Sequence, residues 1–87
     1  MNVNSLYYVI ETYLNGNKGH ARGYINKINY SGRQIVGACD LYGMKPALEI
    51  LTQLGVDRLY LENAFHDYER ENLEEAKTII NNYKLKN

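Results

Sequence analysis

The sequence predicts an α/β (α+β) domain, with a three-stranded antiparallel meander followed by helix, strand and helix in the order βββαβα. Three observations carry this expectation. Segments rich in β-branched and aromatic residues fill much of the first 42 positions. Short glycine-bearing stretches separate them. Apolar residues at helical spacing are picked out only after Gly43 and Pro46.

Each element follows from its residues. LYYVIETYL, residues 6–14, reads as the first strand, with Leu6, Tyr8, Ile10, Thr12 and Leu14 on one face and Tyr7, Val9, Glu11 and Tyr13 on the other. NGNKG, 15–19, tolerates positive φ and reads as a turn. ARGYINKINY, 21–30, is the second strand, Ser31-Gly32 the second turn, and RQIVGACDLY, 33–42, the third strand. Pro46 suits the first turn of a helix, where its missing N–H costs nothing. Ala47, Leu48, Ile50, Leu51 and Leu54 continue that helix, and Gly55 ends it. VDRLYLEN, 56–63, is the fourth strand, and its separation from the third by a helix implies a parallel pairing somewhere in the sheet. A longer helix runs from about Asp67 to about Leu85 on an apolar stripe of Leu73, Ala76, Ile79, Ile80 and Tyr83.

Composition bounds the function. Eighty-seven residues, 45% hydrophobic and 23% charged, fit a single globular domain spanning 1–87 rather than a disordered chain. One cysteine, Cys39, excludes an internal disulfide and reads as a small buried hydrophobe. No apolar run approaches the roughly 20 residues of a membrane span. The N-terminal MNVNSLYYVIETYL lacks the basic flank and unbroken apolar stretch of a signal peptide, so a cytoplasmic location is expected. Net charge is zero but divided: residues 1–46 carry five basic and two acidic groups, residues 47–87 five basic and eight acidic. A protein held by phosphates shows a clearer basic excess, which leaves a local patch of Arg22, Lys27 and Arg33 as the candidate for nucleic-acid contact.

Two stretches resemble the ribonuclease H-like family. GNKGHARGY, 16–24, resembles the glycine-rich hairpin after that family's first strand, and LTQLGVDRLYLEN, 51–63, its helix-to-strand passage. The resemblance implies an abbreviated ribonuclease H-like fold over roughly residues 6–68. It also implies the family's chemistry, in which converging carboxylates hold two divalent cations, Mg²⁺ among them, that activate water for phosphodiester attack. The ligands carried over are Glu11, Glu49 (or Asp40) and, with a shift of register, Glu62. Ala64 stands where the fourth-strand aspartate belongs, and the later acidic elements are missing. The implied site is therefore degenerate, and no cofactor is expected outside a nuclease reading with Mg²⁺.

Other constellations are weaker. His20 and His66 are far apart and read as turn residues. Nothing activates Cys39 as a nucleophile. Nine tyrosines with no tryptophan are the unusual feature. If both helices cover one side of the sheet, Tyr7, Val9, Tyr13 and Tyr60 share the open face as an interaction site. The acidic run Asp67, Glu69, Glu71, Glu74 and Glu75 offers a second partner surface, or is simply the dipole-favoured start of a helix. Eleven Asn and seven Ile are the composition of AT-rich bacterial or phage genomes. The expected function is thus a small non-catalytic binding or inhibitor protein acting on a protein partner or on itself as a dimer. A phage or mobile-element counter-defence protein, of anti-CRISPR type, is the setting this suggests. The alternatives are a metal-dependent nuclease and a nucleic-acid-binding module.

Overall fold

The computed structural model describes residues 5–85 and is built from helices, with no strand among them. The order is α1 (Leu6–Leu14), α2 (Lys18–Ile25), α3 (Gly32–Tyr42), α4 (Met44–Gln53), α5 (Arg58–Tyr68), a short 3-10 helix (Arg70–Asn72) and α6 (Leu73–Leu85). This overturns the βββαβα order and, with it, the ribonuclease H-like resemblance. The helices expected after Pro46 and toward Leu85 are present; the four strands are not.

The physical reason lies in the spacing. Leu6, Val9, Ile10 and Tyr13 of α1 stand at i, i+3, i+4 and i+7, one face of a helix, and the first three are buried. Leu61, Ala64, Phe65 and Tyr68 of α5 repeat that pattern. Ending the presumed fourth strand at Asn63 cut that pattern in half.

Gly16, expected in a hairpin turn, ends a helix instead, while Gly55 ends α4 as expected; of the other turn glycines, Gly19 lies within α2 and Gly32 opens α3. After α1, Gly16 takes φ +94°, its N–H donates to the Tyr13 carbonyl, and the Asn17 N–H reaches back to Thr12 at 3.1 Å. After α4, Gly55 at φ +93° does the same, with Val56 N–H donating to Leu51 at 3.0 Å. Both are Schellman motifs, in which a left-handed residue lets the last carbonyls of the helix find donors. Hairpin turns and helix caps both ask for a residue that accepts positive φ, so glycine alone does not choose between them.

One continuous core joins all six helices. Its largest fully buried side chains are Phe65, Leu6, Ile10, Ile35, Leu48, Leu51, Leu61, Ile80 and Val9. α3 packs against α1, α4 and α5; α6 closes the other side against α4 and α5; α2 packs on α1. The Cα radius of gyration of 12.0 Å is that of a compact chain, for which ~12 Å is expected at this length. Caps are shared between elements: Ser5 Oγ accepts from Tyr8 N–H at 3.2 Å, and Gln34 Oε1 of α3 accepts from Leu6 N–H at 3.3 Å. Close approach of α1 and α3 is set at Gly37, where a Cβ would overlap the Tyr7 hydroxyl. Among the described residues no helix is long and apolar enough to cross a membrane.

Candidate functional site: the aromatic surface of α3 and α5

Among the described residues, α5 carries three of the five large hydrophobic side chains that stand exposed: Leu59 at 62%, Tyr60 at 40% and Tyr68 at 47%. Tyr60, Ala64 and Tyr68 follow one another at four-residue spacing, so they form a single stripe along the helix. This stripe faces the start of α3. Gly32 sits so close to it that an added Cβ would lie 3.1 Å from both Cα and Cβ of Ala64 and 3.0 Å from Cε2 of Tyr68.

Two interlocked pairs flank that contact. At one end the Tyr60 hydroxyl donates to the Tyr30 carbonyl at 2.9 Å, and the two rings meet edge to face with centroids 5.8 Å apart. At the other end the Arg33 guanidinium lies 5.5 Å from the Tyr68 ring centroid, a cation–π distance. Burial raises the Tyr30 phenol above its ordinary pKa, with repulsion from Tyr60 adding to the shift. Tyr60 and Tyr68 remain partly in solvent, whereas Leu59, also exposed, stands half a turn round the helix from Tyr68 and off this stripe.

The sequence expectations place as follows. Tyr7, Val9, Tyr13 and Tyr60 do not share a sheet face, since there is no strand among the described residues. Val9 is fully buried, Tyr7 and Tyr13 pack partly against the core from α1, and Tyr60 stands on α5. Ala64, read as a lost metal ligand, is the smooth floor against which Gly32 packs. Glu11, Glu49 and Glu62 lie on α1, α4 and α5, and Asp40 near the end of α3. Among the described residues no group of three or more His, Cys, Asp or Glu side chains is placed to hold a metal ion. Glu62 instead pairs with Arg58 at 2.8 Å.

Arg22 lies on α2, Lys27 just beyond it, and Arg33 in the first turn of α3 on the tyrosine stripe. His20 is on α2; His66 is on α5, with Nδ1 3.1 Å from Asp67 Oδ1. The acidic run, expected at the start of one helix from about Asp67, begins before α6, which starts only at Leu73. Asp67 is in the last turn of α5, Glu69 is the C-cap of that helix, and Glu71 is in the 3-10 helix. Glu74 and Glu75 occupy the first turn of α6, where they oppose the positive end of its dipole. Cys39 is buried on α3 rather than on a strand, and burial, with Asp40 beside it, pushes its thiol up to about 12.

Tyr30, Leu59 and Tyr68 are the surface residues the sequence reading missed. Tyr68 was signalled by the Tyr60-Ala64-Tyr68 spacing, visible once residues 58–68 are read at a period of 3.6; Tyr30 and Leu59 had no such signal. Comparison with known protein families, with characterised proteins and with solved structures returned no match.

Proposed function

We propose that this chain is a small binding protein that acts through protein–protein contact, with the α3–α5 aromatic surface as its docking face. The observation that carries this reading is the concentration of exposed apolar side chains on one eleven-residue helix, backed by ring pairs that hold Tyr60 and Tyr68 in place. Tyrosine and arginine are the residues in which interface energy concentrates, because each offers a large flat contact with a polar edge. Rings already fixed by Tyr30 and Arg33 lose little freedom on binding, so more of the contact energy appears as affinity.

Charge favours a protein over a nucleic acid as partner. Asp57, Asp67 and Glu69 stand at the two ends of α5, while Arg58 and Glu62 neutralise each other. Carboxylates at these positions repel a phosphate backbone. Composition alone pointed to a counter-defence setting, and the α3–α5 surface supplies a docking face for such a role without specifying its target.

The experiment is affinity capture from the source cells with three baits: the native chain, Tyr68→Ala and Glu49→Gln. The reading expects a discrete partner held by the native chain and Glu49→Gln and lost with Tyr68→Ala. Equal capture by all three baits rejects this surface as the docking face.

A further inference from the structure

A groove of about 250 Å³ lies between α1 and α2 and shares no residue with the α3–α5 surface. Tyr8, Glu11 and Asn15 line it from α1 at i, i+3 and i+7, and His20 and Tyr24 line it from α2 at i and i+4. The Schellman turn at Gly16 carries Asn17 across its end. Tyr8 and Tyr24 have ring centroids 5.6 Å apart, and His20 stands 6.2 Å from Tyr24, so three rings form one continuous wall.

One turn along α1 from Tyr8, the groove lining also carries a carboxylate. Glu11 is exposed, is the only acidic residue lining the groove, and has no ion-pair partner among the described residues. Lys18, at the start of α2, is drawn off over the Tyr13 ring at 5.3 Å and does not line the groove.

Aromatic faces attract cations. Carboxylates pair with guanidinium through two parallel hydrogen bonds. A guanidinium also stacks flat on aromatic rings, which a compact ammonium does not do, and its remaining N–H groups suit amide oxygens such as those of Asn15 and Asn17. The volume is below the ~300–1,000 Å³ of sites that enclose drug-sized ligands, which suits a single head group.

We propose that the α1–α2 groove is a guanidinium-binding site, with Glu11 as the counter-charge, the Tyr8–Tyr24–His20 wall as the stacking surface and Asn15 and Asn17 as acceptors. The guanidinium comes either from an arginine side chain of a partner or from a free small molecule.

The test is an NMR titration of the ¹⁵N-labelled full chain with three probes: N-acetyl-arginine N-methylamide, free L-arginine, and N-acetyl-citrulline N-methylamide as the neutral isostere. Saturable shifts are expected for the blocked arginine at amides of residues 8–24, with the citrulline analogue about tenfold weaker or more. Glu11→Gln should weaken blocked arginine by a similar factor and Glu49→Gln should not. Blocked arginine binding more tightly than free arginine assigns the ligand to a partner chain; the reverse order, or equality, assigns it to a free molecule. Glu11 is exposed, so Glu11→Gln keeps a dispersed spectrum. No saturable shift, equal binding of the citrulline analogue, or full binding by folded Glu11→Gln overturns the proposal.

Discussion

The Tyr60 hydroxyl donates to the Tyr30 carbonyl at 2.9 Å while the Tyr60 ring stands edge-on to the Tyr30 ring. One residue thus fastens α5 to the 26–31 connection through both a polar and an aromatic contact. Tyr60→Phe keeps the ring and removes only the hydrogen bond, at a cost of about 0.5–1 kcal/mol at this exposed position. Tyr60→Ala removes both contacts and should cost about 1 kcal/mol more. Urea unfolding midpoints of the two variants measure the difference directly.

Gly32 brings α3 close to the backbone of α5, since Ala64 Cα lies 3.1 Å from where its Cβ would be. A helix backbone cannot rotate away as a side chain can. Gly32→Ala should therefore push α5 outward and destabilise the fold by about 1–2 kcal/mol, despite alanine's better helix propensity. Loss of the Arg33–Tyr68 contact should accompany it, visible in the Tyr68 ring resonances. An unchanged or raised unfolding midpoint would refute the close approach.

The caps at Gly16 and Gly55 predict a different signature. At φ +94° and +93° an alanine side chain is strained whatever the space around it, and nothing lies within 4 Å of either Cβ position. Gly55→Ala and Gly16→Ala should each cost about 1 kcal/mol through backbone strain. Both residues are exposed, so no repacking accompanies the loss, and the urea m-value should not change.

Burial of Cys39 makes stability depend on pH in the alkaline range. Its thiol is pushed from 9.0 to about 12 in the folded protein, so above pH 9 the unfolded chain releases a proton that the folded chain retains. Stability is thus fully present below about pH 9 and falls as pH rises toward 12. Burial likewise raises the phenols of Tyr30 and Tyr42, which add a loss in the same direction at higher pH, beginning above 10. Urea denaturation at pH 8 and about pH 10 should show the drop, and Cys39→Ala should reduce it. The native thiol should also resist alkylation at neutral pH and react once urea unfolds the chain.

How much of this was legible in the sequence varies by element. α4 was readable because Pro46, the apolar spacing from Ala47 to Leu54 and Gly55 all agree on a helix. LYYVIETYL was ambiguous: its β-branched and aromatic residues favour a strand, yet Leu6, Val9, Ile10 and Tyr13 also fit one helix face. Burial of Leu6, Val9 and Ile10 against α3 and α4 decided it, a tertiary effect that local propensity does not contain. The tyrosine surface was partly visible through Tyr60. Tyr30 and Arg33 belong to it only because Gly32 lets α3 meet α5, a pairing no sequence period encodes.

The most direct test of the account is site-specific photo-crosslinking in the cells that express the protein. A benzophenone side chain is placed in turn at Tyr60, at Tyr68 and, as the control on α4, at Lys45. The account predicts one and the same protein adduct from positions 60 and 68 and none from position 45. Adducts from position 45 alone, or identical adducts from all three positions, would contradict the claim that the α3–α5 surface is where this protein binds.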